Sequence, residues 1–226
     1  MPHTPIARTR RGRLFAVPVA VPAAVVAAAL ALTGCSGGAA AATGVDEAFV
    51  GGTTAPSPEA TITPEPGSWT GTDVPAGYRV ALVSAGTDAA TGTIVRGVQE
   101  WAEQAGVDLV QFTAADDEEV EDRVEEAVAQ APDLVLGAGT GIVDVFTLAT
   151  GQYLDQPFLV LGAQLAEPTA NVTAVVWPGA TFRGTGLAAS GEVDPASVTP
   201  ARVRDAVAAG VASVLRDLSG IVIDLG

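Results

Sequence analysis

Residues 79–137, RVALVSAGTDAATGTIVRGVQEWAEQAGVDLVQFTAADDEEVEDRVEEAVAQAPDLVLG, decide the fold. They open on Arg79-Val-Ala-Leu-Val-Ser84, a short apolar run that ends in a polar, glycine-containing turn. Helical spacing of apolar residues follows from about Ala89 to Ala105, and then a second apolar run, Asp108–Phe112. Asp116 stands as an N-cap ahead of Val120, Val124 and Val128, whose four-residue spacing puts them on one helical face. Leu134–Gly137 is a third strand. Such alternation predicts a parallel sheet, because a parallel strand is reached by crossing back over a helix.

Toward the C-terminus the pattern continues. Gly137, Gly139 and Gly141 turn the chain into a helix through Asp144 to about Leu154, and Pro157–Leu161 and Val172–Val176 are the next strands. Thr199-Pro200 is an N-cap with proline at the first helical position; it opens a helix that closes near Gly220, before a last strand, Ile221–Leu225. The expected fold class is α/β: a single doubly wound, mostly parallel sheet with helices on both faces, over residues 78–226. A domain of this size buries roughly 68–70% of its unfolded surface in one core. The glycines do not make a dinucleotide fingerprint, since position 142 is Ile and the turn follows the third strand. No cofactor is expected.

Working back to the N-terminus, residues 1–13 are cationic and Leu14–Leu32 is an uncharged run of 19 residues, followed by Thr33-Gly34-Cys35. This reads as an export signal over residues 1–34, whose positive start leaves the remainder on the extracytoplasmic side. Arg10-Arg11 matches a twin-arginine signal only loosely, so the route stays open between the two export systems. Leu32-Thr-Gly-Cys35 resembles the bacterial lipobox. The resemblance implies a diacylglycerol on the Cys35 thiol, a palmitate-type acylation and a lasting membrane anchor. Residues 36–77 are rich in Gly, Ala, Thr and Pro and lack a sustained apolar period, so residues 35–77 are expected to be the lipidated Cys and a flexible tether.

The charge count excludes whole classes of function. The chain has 11 arginines, no lysine, 26 acids, one His (His3) and one Cys (Cys35). With the only imidazole in the leader, a Ser-His-Asp or Cys-His unit has no base in the domain. One Cys and one His cannot close a zinc shell, and no disulfide forms within the chain. Seven arginines against 26 acids give the chain from Cys35 onward a net charge of −19, which repels nucleic acid. The eight acids in 116–126 lack EF-hand spacing and read as the solvated face of a helix, so no metal site is expected.

Val80-Ala-Leu-Val83, Pro132-Asp-Leu-Val-Leu-Gly-Ala-Gly139 with Asp144, and Asn171-Val-Thr-Ala-Val175 with Phe182 and Gly184 fall in one order. In that order they resemble one lobe of the basic membrane protein family of ABC-transporter substrate-binding lipoproteins. The resemblance implies a non-enzymatic, lipid-anchored protein of the cell membrane that binds a small polar ligand such as a nucleoside and works with an ABC permease. The chain has room for about one lobe. Its first loop, Ser84–Thr93, holds no aromatic, and Thr140 stands where the family has one after the third strand.

In open α/β sheets ligands sit beyond the carboxyl ends of the strands. That edge offers Ser84, Thr87, Asp88, Thr140, Asp144, Gln164 and Trp177 as candidate ligand-binding residues. The hydroxyl, carboxylate and amide groups suit sugar hydroxyls or a base edge, and Trp177 a stacking face. The same residues also read structurally: Asp88 and Thr140 as caps, Asp144 as a first-turn carboxylate, Trp177 as a plug over the core. The alternative function is a ligand-free scaffold or interaction lipoprotein whose acidic domain contacts another envelope protein.

Overall fold

The apolar runs become a parallel sheet. The computed structural model describes residues 46–52, 55–166, 168–182 and 194–226. Along the chain lie α1 (Glu47–Val50), β1 (Thr61–Ile62), β2 (Arg79–Ala85), α2 (Ala89–Ala105), β3 (Asp108–Ala114), α3 (Asp117–Ala129) and β4 (Leu134–Ala138). Then come α4 (Val143–Ala149), β5 (Phe158–Leu161), β6 (Ala163–Gln164), β7 (Val172–Val176), β8 (Thr181–Phe182), α5 (Pro200–Leu215) and β9 (Val222–Asp224). Seven strands pair in the order β1-β9-β7-β5-β4-β2-β3, and β6 and β8 form a separate two-stranded pair. Every pairing among the described residues is parallel.

The central strands β2, β4, β5 and β7 are buried on both faces, which is why they read as nearly continuous apolar runs. On one face α2 and α5 set Ile94, Val98, Val203 and Val207 against Leu82, Leu136 and Leu159. On the other, α3 and α4 set Val120, Val124 and Phe146 against Val83, Val135 and Val160. Phe146 meets Phe158 edge to face at 5.8 Å between centroids. The two long helices approach closely at Gly97, where an added Cβ would overlap the Val203 side chain.

Two boundaries shift. Helix α5 stops at Leu215, earlier than Gly220, because the Ser213 hydroxyl donates to Leu218 O at 2.5 Å, the Leu218 amide turns back to Ser213 O, and Asp217 takes φ 57°. The helix through Asp144 divides into an α-helical core, Val143–Ala149, between 3₁₀ turns at Thr140–Ile142 and Thr150–Gln152.

The larger correction concerns the tether. From Asp46 on it gives way to structure packed on the domain: Phe49, Val50, Ile62 and Trp69 belong to the α2/α5 side of the core, and β1 pairs with β9. Arg216, just past α5, fastens this segment. Its guanidinium lies 4.4 Å from the Phe49 ring centroid, donates to Ser68 O at 3.2 Å and Thr72 Oγ1 at 3.4 Å, and approaches Asp46 at 3.7 Å. The leader, Cys35 and the rest of the tether up to residue 45 lie outside the described residues, as does Gly184.

Phe49 is fully buried. Truncation to Ala should therefore destabilise the domain by about 3–5 kcal/mol, the usual cost of emptying a core phenylalanine site. Urea unfolding of Phe49→Ala checks this; a residue on a free tether would leave the midpoint unchanged.

Candidate functional site

The chain leaves β2 toward β3 on one side and returns past β2 to β4 on the other. Right-handed crossovers in opposite directions send α2 and α3 to opposite faces of the sheet. The loops after β2 and β4 consequently diverge, and a crevice opens beyond the carboxyl ends of these strands. The cleft there has a volume of about 450 Å³. One wall is the first turns of α2, Asp88 to Ile94; the floor is Gly139, Thr140 and Gly162; the far wall is Gly179–Ala180, Asp194–Pro195 and Val198.

Glycines make the crevice by letting backbones come close. Gly139 has φ 87° and ψ −178°, a conformation open in practice only to glycine, and a Cβ on it would overlap Thr91 Oγ1. At Gly162, φ 75°, a Cβ would sit 3.1 Å from the Trp177 ring.

Asp88 caps α2. One carboxylate oxygen accepts from the Thr91 amide at 2.9 Å and the other from the Thr91 hydroxyl at 2.6 Å. Burial pushes its carboxyl up, but the bonds from the Thr91 hydroxyl and from the amides of Thr91, Ala90 and Asp88 itself outweigh this and hold it below the ordinary aspartate value. Across the cleft Asp194 begins a 3₁₀ turn, accepting from the Ala196 amide at 2.9 Å. Among the described residues no group of three or more His, Cys, Asp or Glu is placed to share a metal ion.

Of the residues expected from sequence, Asp88 and Thr140 line this cleft together. Thr87 is exposed beside Asp88 but is not part of the lining, and Ser84 is buried within β2, paired with Thr113 and Ala138. Asp144 sits on the exposed first turn of α4, and Gln164 is half-buried in β6. Trp177 is 4% exposed, its indole N–H donating to Ser197 Oγ at 3.0 Å, so it presents no face for stacking. Thr91, Gly162, Gly179, Asp194 and Val198 are additional cleft residues. A glycine directly after β5 was the readable sign of one of them; the Asp194-Pro195 cap was a second.

No protein-family model and no curated protein matches the sequence. Solved structures do. A solute-binding protein of an ABC transporter system from Aeropyrum pernix K1 is 20% identical over 45% of this chain and 29% of that one, with a TM-score of 0.40. The 5-methylthioribose transporter solute-binding protein from Thermotoga lettingae TMO is 22% identical over 45% of this chain and 33% of that one, TM-score 0.39. A fragment of a protein from Peptoclostridium difficile 630 named as a lipoprotein is 11% identical over 63% of this chain and 99% of that one, TM-score 0.43. The chain thus spans about a third of the length of the two solute-binding proteins.

A carboxyl held low in the folded state stabilises it above the unfolded value, and that contribution is lost as pH falls through the folded value. Asp88→Asn should keep the cap but lose the part of the neutral-pH stability that the charge supplies, so that the acid limb of the stability curve flattens; Asp88→Ala should cost about 1 kcal/mol at neutral pH. Gly139→Ala should cost at least about 2 kcal/mol from backbone strain and overlap with Thr91. Chemical denaturation of the three variants across pH measures each effect.

Proposed function

We propose that this chain is a lipoprotein of the extracytoplasmic membrane face whose domain serves as a single solute-binding lobe, holding a small polar ligand without transforming it, in partnership with an ABC permease. The observation that carries the reading is the cleft itself, about 450 Å³ at the point where the strand order reverses, with Asp88 and Thr140 on its lining. The leader and Leu32-Thr-Gly-Cys35 support anchoring through a lipid on Cys35. With Trp177 buried and no aromatic among the described lining residues, a nucleoside base would find no ring there to stack on, so hydroxyl and amine groups are better matched than a purine.

One open lobe encloses too little of a small molecule for the usual 70–90% burial, so the permease or another lobe must cover the ligand. The ligand-free scaffold reading has one observation in its favour: Asp88 and Asp194 already serve as caps, a role that needs no ligand.

Two measurements decide. In a thermal-shift panel of sugars, nucleosides and amines, a midpoint rise that Asp88→Ala abolishes supports binding, and a flat panel supports the scaffold. Mass spectrometry of the protein extracted from native membranes should show an acylated Cys35 as the first residue; an unmodified thiol there overturns the anchor.

A further inference from the structure

The cleft's lining is chemically one-sided. Among the described residues it carries two carboxylates, Asp88 and Asp194, and the hydroxyl-bearing Thr91, Thr93 and Thr140, but no Arg or Lys. Between them lies an aliphatic surface, chiefly Ile94 and Val198.

The described lining offers an anion no cationic side chain. The amides at the start of α2, where an anionic group would be received in a fold of this type, are already taken by the chain's own Asp88 carboxylate. The Asp194 carboxylate spends one bond on the Ala196 amide and keeps the rest of its accepting capacity. The net charge of −19 from Cys35 onward further concentrates cations at the surface and repels anions. Without an aromatic face, a quaternary ammonium would lack its usual partner, whereas a primary ammonium donates three hydrogen bonds directly.

We propose that the cleft selects a short aliphatic primary amine, its ammonium group held by Asp88 and Asp194 and its methylenes lying along Ile94 and Val198. This rests on the solute-binding reading and names the ligand class for the same site.

A series of equal chain length and differing charge tests it: putrescine, butanediol and succinate, with ribose as a neutral polyol, titrated calorimetrically into the whole chain. Putrescine should bind at least about tenfold more tightly than butanediol or ribose, the worth of one charge-assisted hydrogen bond, and succinate should not bind. Asp88→Asn and Asp194→Asn, each first shown to be folded by its thermal midpoint, should weaken putrescine about tenfold. Glu125→Gln, on the exposed face of α3, should leave it unchanged. Equal loss in Glu125→Gln would mean diffuse attraction to the acidic surface and would overturn the proposal. Tight ribose binding without a preference for putrescine would overturn the amine and leave the solute-binding reading standing; silence from all four probes would count against both.

Discussion

A parallel strand cannot be reached by a tight turn; the chain must cross back over the sheet, and the crossover has a fixed hand. That constraint organises this molecule. Because β3 and β4 lie on opposite sides of β2, the covering helices go to opposite faces, and the loops beyond β2 and β4 are pulled apart. The cleft is a consequence of strand order before any side chain is considered. What the sequence adds is its lining, and glycine after β4 and β5 keeps that lining close to backbone.

The polar groups of the cleft also hold the fold. Asp88 satisfies amides at the start of α2, Asp194 does so for a short 3₁₀ turn, and outside the lining Ser197 fixes Trp177. A ligand group entering the cleft would meet carboxylates whose positions are already set by backbone bonds, so little side-chain entropy would be lost on binding. The same economy makes the site's residues hard to separate into structural and functional ones by substitution alone. Charge-conserving and charge-removing replacements that both retain the cap are therefore more informative than truncation.

Most of the sheet was legible because a strand buried on both faces leaves an apolar run of fixed length, and the caps Asp88, Asp116 and Thr199 mark where helices begin. Helix α2 runs from Ala89 to Ala105, the range its periodicity indicates. Strand β1 was not legible. It is two residues long, and Thr61 and Ile62 become a strand only by pairing with Val222 and Ile223, about 160 positions away. Phe49, Ile62 and Trp69 are isolated apolar residues among Pro, Gly and Thr, which local periodicity scores as tether. The far wall of the cleft was missed for a related reason: Gly179 and Asp194 meet through tertiary packing, the Asp194 amide donating to Gly179 O. The side-chain direction of Trp177 likewise depends on Ser197, 20 residues onward.

The two edges of the sheet are treated differently, and the difference follows from charge. At the β9 edge the N-terminal segment supplies β1 and seals the core with Phe49 and Ile62, fastened by Arg216. The β3 edge pairs with nothing among the described residues. Since the Asp108 amide points to Tyr78 O, the alternation of a parallel ladder turns the amides of Leu109, Gln111 and Thr113 outward. An open row of this kind is a template for pairing with another chain, and Val110 is 48% exposed on it. Asp108 and Asp116 bracket the strand, and α3 packs its valines against this side of the sheet with its acids turned to solvent, so two copies approaching edge to edge bring like charges together. Charge thus does at β3 what the added strand does at β9. The acid-rich run 116–126 lies where like charge opposes edge-to-edge pairing, whether or not a ligand binds.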